Sequence, residues 1–494
     1  MKAFLSSARQ GAGLGLVLAV LGACAVGPNF VRPTAPDASR YTHEPLPAAT
    51  VPADGQAQQF TPDATLSADW WRLFKSEPLD AAVRQSIANN PTLQAAEATL
   101  RQSQDNLRAG YGVFYPRIDA QAGASRQRTA PLQQGLTTSS SIFNLVTLSG
   151  TVSYALDVFG GERRTVEGLR AQAEYQSYAN MAAYLTLSAN VANAAIARAA
   201  YAAEIRATEQ LIDLERQQLQ LTEVQVRSGT TPYSSVLSMR SLIAANQALL
   251  APLRQRVSQS EDLLATLEGV VPSKATLPEI ELTALAVPVD LPVSLPSDLV
   301  RQRPDILSAE AQLHVASATI GVATAAMFPS ISLSGTYGAS GTSFGTLSAA
   351  RGRFWSIGPS ATVPLFQGST LWYGRKAAID AFQQSQAAYR ETVLSAFAQV
   401  ADSLKALEHD AEALQAQVDA RLAASEALVL LRANYHAGLV AYPDVLAADV
   451  QLHQATIAYL QAVAQRHQDT VALFAALGGG WWNAKSTAGE GGMP

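Results

Sequence analysis

The 494-residue sequence predicts an α+β membrane protein in which long helices and spanning strands are duplicated within one chain. Three observations carry this. Sequence landmarks recur in order at a nearly constant offset. Two 67-residue stretches, Gly161–Arg227 and Thr370–His436, contain no proline. Segments alternating apolar and polar residues reach about 10 positions, the spanning length of a tilted strand. Composition narrows the reading. Lys+Arg is 35 and Asp+Glu 40, so no basic excess exists to bind nucleic acid. Hydrophobic residues are 48% but aromatics only 7%, which points to helices packed through small side chains rather than thick aromatic cores. The single cysteine, Cys24, excludes a disulfide framework or a cysteine metal cluster. Beyond the first 25 residues no run of ~18 apolar residues occurs, so no bilayer-spanning helix is expected.

Residues 1–23 read as a lipoprotein signal peptide. Lys2 and Arg9 precede a short apolar stretch, Gly11 to Gly22, too short to span but fitting a signal core. It ends in Leu21-Gly22-Ala23-Cys24, which resembles a bacterial lipobox. The resemblance implies N-palmitoyl and S-diacylglycerol groups on Cys24. Ala25, where an aspartate would signal retention, implies sorting to the outer membrane. Each buried methylene contributes ~0.8 kcal/mol, so several acyl chains anchor where one would not. Residues 24–77 are rich in Pro, Ala and polar residues and read as an extended, lipidated tether.

The internal repeat follows. Asn90-Pro-Thr-Leu-Gln-Ala-Ala-Glu-Ala-Thr-Leu100 matches Arg303-Pro-Asp-Ile-Leu-Ser-Ala-Glu-Ala-Gln-Leu313 at five of eleven positions. Tyr115-Pro116 and Phe328-Pro329 keep the same offset of 213, and Gly229 pairs with Gly438 at 209. Residues 78–272 are therefore repeat 1 and 297–482 repeat 2. Between them, 273–296 is a Pro-rich linker that cannot continue a helix, and 483–494 is a C-terminal tail.

Each half opens with a helix (79–112, then 297–327), continues with two β segments, and closes with a long helix, a glycine turn and a returning helix. In the β segments, Ile118, Val152, Leu333 and Ile357 fall on apolar faces, while Asp119, Ser153, Ser334 and Ser356 fall on polar ones. Four strands cannot close a barrel, and an open edge is not viable in lipid, so several chains must share one barrel. The 67-residue helices are about 100 Å long at 1.5 Å per residue. Ile205, Ile212 and Leu219 form a heptad seam, and Leu214 with Leu221 a second, as a helix with neighbours on both sides requires.

At this point four motifs carry a resemblance covering essentially the whole mature chain. They are Cys24-Ala-Val-Gly-Pro-Asn-Phe, Asp69-Trp-Trp-Arg-Leu-Phe74, Leu156-Asp-Val-Phe-Gly-Gly-Glu-Arg-Arg164 and Leu295-Pro-Ser-Asp-Leu-Val-Arg-Gln-Arg-Pro-Asp-Ile306. The chain resembles the TolC-like outer-membrane factors, specifically the NodT/OprM-type efflux lipoproteins. That implies a homotrimer sharing a 12-stranded β-barrel, four strands per chain, continuous with a long α-helical barrel in the periplasm. It implies an outer-membrane exit duct, moving small molecules passively, with a periplasmic adaptor protein and an inner-membrane resistance-nodulation-division pump as partners. No enzyme chemistry and no nucleic acid are expected. Two alternatives stand beside it: a type I secretion channel, and a lipid-anchored periplasmic scaffold without a pore.

The resemblance also assigns roles at the helix-turn-helix tips. Gly229, Thr230 and Pro232 in the first, with Gly438, Val440 and Pro443 in the second, become adaptor-docking residues. Asp444, Tyr435, Leu439 and Tyr442 become the periplasmic gate. Asp444 is read either as part of a lumenal carboxylate ring or as an acid favouring its helix N-terminus. A further aspartate of relatives is Ala447 here, although Asp449 follows; the charged partner usual for Tyr435 is Val440. The gate is thus expected to rest on packing by Leu439 and Tyr442 more than on salt links.

Other polar groups read as structural. Glu310 and His314 lie i, i+4 without a second ligand pair and suggest a solvated helix wall rather than a metal site. Arg163 and Arg164 read either as phospholipid-headgroup contacts or as an ordinary helix surface. Trp355, Trp372 and Tyr154 suit an interfacial aromatic belt.

Overall fold

The structure, a computed structural model, describes residues 25–62, 64, 66–129 and 139–483. Cys24, the signal peptide and most of the tail therefore lie outside the described residues, as does much of the loop after the first spanning strand. In chain order the elements are β1 (Gln59–Pro62), α1 (Glu77–Asn89), α2 (Pro91–Gly110), β2 (Arg117–Thr129), β3 (Ser141–Leu156), α3 (Gly161–Arg227) and α4 (Tyr233–Leu267). Then come β4 (Asp290–Val293), α5 (Pro296–Gln302), α6 (Pro304–Ala325), β5 (Ser330–Gly341), β6 (Arg353–Thr362), α7 (Thr370–His436) and α8 (Tyr442–Ala476). The repeat is visible in the element order, and α3 and α7 both have 67 residues.

The opening helix of each half is broken, where the sequence suggested one continuous helix. Pro91 and Pro304 lack an N–H and crowd the preceding turn, so Asn90 (ψ 121°) and Arg303 (ψ 125°) turn extended. Each pre-proline residue then holds the end of a returning helix. The Asn90 amide donates to Leu267 O at 2.8 Å, and Arg303 Nη1 donates to Ala476 O at 2.9 Å.

The chain forms two compact units. One comprises the described residues up to Pro33, with Leu100–Gln176 and Ala309–Tyr389. It contains an antiparallel sheet of four strands in the order β2-β3-β5-β6, leaving β2 and β6 as open edges. Register places Ile118 opposite Val152, Val152 opposite Gly335, and Gly335 opposite Ile357. Leu148, Tyr337 and Trp355 join the same face, and Ile118, Tyr337, Trp355 and Ile357 are each more than half exposed. The opposite face is a polar ladder in which Thr151 and Thr336 hydroxyls are 3.1 Å apart and Ser332 and Ser360 hydroxyls 2.8 Å apart.

The other unit comprises Thr34–Thr99, Ser177–Ser308 and the described residues from Arg390 onward. Here the expectation of a free tether is corrected. Trp70, Trp71 and Phe74 are fully buried and pack with Phe474 and Leu79. Burying each such side chain contributes about 1.5–3 kcal/mol, which no solvated tether could forgo. Its core is accordingly more aromatic than composition implied. β1 pairs in parallel with β4, so the Pro-rich linker is also packed, with Leu282 and Leu291 buried. Arg466 clamps residues 53–58, donating to Gln58 Oε1 at 2.9 Å, Gln56 O at 3.1 Å and Ala53 O at 3.3 Å.

α4 is, among the described residues, one helix long and apolar enough to cross a membrane by composition. Its Ile243 and Leu250 instead pack on Ile205, Ile212 and Leu219 of α3, the predicted first seam. The second seam stays open: Leu214 and Leu221 are 48% and 59% exposed.

Candidate functional site

Two hairpin tips and one N-terminal strap gather the residues singled out in the sequence. At the first tip, α3 ends at Arg227 and Gly229 adopts φ +78°. At the second, α7 ends at His436 and Gly438 adopts φ +75°. The closures match: Thr230 N–H donates to Gln225 O at 3.0 Å, and Leu439 N–H to Asn434 O at 2.9 Å. A left-handed residue followed by such a long-range bond is the usual way to satisfy the last carbonyls of a helix, and glycine adopts it without strain. Pro232 immediately precedes α4, and Pro443 lies in the first turn of α8, where no N–H is needed. Gly229, Thr230, Pro232, Gly438 and Pro443 are exposed, and Val440 is half-buried.

Of the four gate candidates, the structure brings Tyr435 and Tyr442 together and leaves Leu439 apart. The two tyrosine rings meet edge to face at 5.4 Å. Tyr435 Oη donates to Gln225 Oε1 at 3.2 Å, and Tyr442 Oη donates to Met239 Sδ at 3.3 Å, so both tie the second hairpin to the first. Leu439 is 74% exposed. Asp444 reaches back to the Ala441 N–H at 3.1 Å, the behaviour of an N-terminal capping acid. Asp449 is buried and paired with Arg432 at 2.9 Å. The second hairpin thus carries one ion pair just behind the tip, beside the packed tyrosines. Burial pushes the Asp449 carboxyl up, and Arg432 opposes that. In the first hairpin, buried Glu215 accepts from Asn246 Nδ2 at 2.7 Å, and burial likewise raises its pKa. Gln225 and Glu215 give no signal in the sequence, because polar residues on a long wet helix all look alike.

The strap is residues 25–32. Val26 N–H donates to Phe159 O at 3.0 Å. Gly27 lies directly on Gly321; a Cβ on Gly27 would come within 2.6 Å of the Gly321 Cα. Arg164, with its side chain 6% exposed, donates to Asn29 Oδ1 at 2.7 Å and to the Val26 and Gly27 carbonyls at 3.4 Å, and pairs with Glu167 at 2.7 Å. Phe30 stacks on His314 at 4.3 Å, His314 bonds Glu167 at 2.9 Å, and Arg32 pairs with Glu310 at 2.6 Å. Both sequence expectations here are corrected. Glu310 and His314 are a clasp rather than a solvated wall, and Arg164 is neither a headgroup contact nor a surface residue. Arg163 is held by Asp157 at 3.0 Å.

Residues 82–270 and 295–479 match the outer membrane efflux protein family. The chain belongs to that family and is an outer-membrane efflux channel protein. It is 29% identical over 479 residues to the toluene efflux pump outer membrane protein TtgC of Pseudomonas putida, covering 95% of this chain and 96% of that one. It is 26% identical over 480 residues to the probable outer membrane lipoprotein SilC of Salmonella typhimurium, covering 94% and 97%. Among solved structures, the outer-membrane channel OprN superposes with a TM-score of 0.83 at 26% identity, covering 93% of this chain and all of that one.

Proposed function

We propose that three copies of this chain complete a 12-stranded barrel, and that the joined helices form a periplasmic duct through which small molecules leave by passive diffusion. The observation that carries this is the sheet: one register-aligned apolar face, one polar face, and two open edges, β2 and β6. Lipid tolerates no unpaired strand edge, so the edges must pair with copies of the same chain. The half-exposed Leu214 and Leu221 seam supplies a matching apolar stripe on the helices.

The duct takes its energy from a proton-driven inner-membrane pump of the resistance-nodulation-division type, reached through a periplasmic adaptor that docks on the exposed tips around Gly229 and Gly438. Acyl groups on Cys24 anchor the chain, in line with the lipoprotein named among its relatives. Electron microscopy of detergent-purified protein should show a threefold particle with a continuous bore, and planar-bilayer recording should show conductance. A solitary particle without conductance refutes the duct and leaves a periplasmic scaffold.

A further inference from the structure

The strap ends at a groove. Its first described residue, Ala25, packs on Gly160 so closely that a Cβ there would fall 2.6 Å from the Ala25 Cα. The next residue along the backbone in each direction, Phe159 and Gly161, lines a cavity of about 390 Å³. Its apolar wall comes from Leu156, Phe159, Val322, Ala326, Phe328 and Ile331. Phe159 and Phe328 stack at 4.9 Å and form a rigid aromatic side. Two carboxylates also line it, Asp157 and Glu162, and Asp157 is engaged: it accepts from the Glu162 and Arg163 N–H groups and from Arg163 Nε at 3.0–3.1 Å. At one end the groove includes Leu156 and Ile331, which are register partners on the apolar sheet face. The volume lies in the range of about 300–1,000 Å³ usual for small-ligand pockets.

We propose that this groove is an acyl-chain site, filled by one of the fatty acyl groups on Cys24 of the same chain. This rests on the reading that Cys24 is acylated. The occupant is set by connectivity: Cys24 is the neighbour of Ala25, and consecutive Cα atoms are about 3.8 Å apart. The strap fixes Ala25 at the groove's rim through Arg164, Gly27 and Gly321, so an acyl chain leaving Cys24 meets an apolar wall that leads to the foot of the apolar sheet face. The groove thus fixes where and in which direction the anchor enters lipid.

The test uses full-length protein from cells fed an alkyne-tagged fatty acid, with a benzophenone amino acid in place of Val322. After illumination and digestion, mass spectrometry should find the residue-322 peptide joined through an acyl group to the Cys24 peptide. A benzophenone at Thr336, on the polar sheet face, should give no such product. Ala326→Trp, which fills the groove from an exposed position, should reduce the Val322 cross-link to background while the assembled protein survives. Three results overturn the proposal. Tag on the Cys24 peptide with no cross-link leaves acylation standing and removes the groove. A residue-322 peptide carrying free phospholipid makes the groove a bilayer-lipid site. Absence of tag from the chain removes the acylation reading and the groove with it.

Discussion

Glu268 closes α4 with both carboxylate oxygens buried and accepting no hydrogen bond from any described residue. Burial raises its pKa, and the negative end of the helix adds to the cost of charge there. An acid raised in the folded state favours folding fully below its unfolded pKa of about 4.3, and that contribution is lost as pH climbs toward the folded value. Thermal stability should therefore decline as pH rises above ~4.3, and Glu268→Gln should make the decline shallower. An unchanged pH slope in calorimetry would refute the assignment. Asp444 is separable in the same way. Asp444→Asn keeps an acceptor for Ala441 but removes the charge, so stability should hold while the cation preference of reconstituted channels falls. Unaltered selectivity would leave Asp444 as a helix cap alone. Neither environment is legible in the sequence: nothing there marks Glu268 as buried, and Asp444 offered two roles. Residue identity does not report which neighbours a helix turn will present.

At the scale of elements, the long helices were legible because nothing in 67 residues interrupts them and because the seam of Ile205, Ile212 and Leu219 has one partner, α4. The breaks at Pro91 and Pro304 were written in the same sequence but masked by apolar periodicity on both sides. β1 and β4 were missed because four residues carry too little alternation to stand out from Pro-rich surroundings. The Trp70-Trp71 pair is a stronger clue than composition: tryptophans in a supposed tether seek a core. The break in the second half yields a prediction. Arg303 is buried and serves Asp305, Gln399, Ala396 O and Ala476 O, thereby joining α5–α6 to the interior of α7 and the end of α8. Arg303→Ala leaves the buried Ala396 and Ala476 carbonyls without this donor and should destabilise the fold by about 1–3 kcal/mol. Arg303→Lys cannot reproduce the fork and should recover only part of that loss in denaturation experiments. Full recovery by lysine would mean that charge alone matters.

On the scale of the whole molecule, the sheet contains its own control, because neighbouring residues on one strand face opposite environments. Ile357 lies on the apolar face, 71% exposed in the single chain, and Ser356 lies on the polar face beside Thr336. If three sheets close into a barrel, Ile357 meets lipid and Ser356 meets the water-filled bore. An arginine facing lipid costs about 2–4 kcal/mol at mid-depth and less toward the interfaces, whereas a bore-facing arginine retains its hydration. Ile357→Arg should therefore reduce the amount of assembled, heat-resistant oligomer recovered from outer membranes. Ser356→Arg should leave assembly intact and shift the ion selectivity of the channel toward anions, since three added positive charges would line the bore. The alternation that defines these faces was readable from the sequence alone, whereas their fourfold register needed the pairing of β2 with β3, β3 with β5 and β5 with β6. Equal effects of the two substitutions on assembly would mean that both faces share one environment, and the barrel would have to be abandoned for a sheet packed on another protein surface.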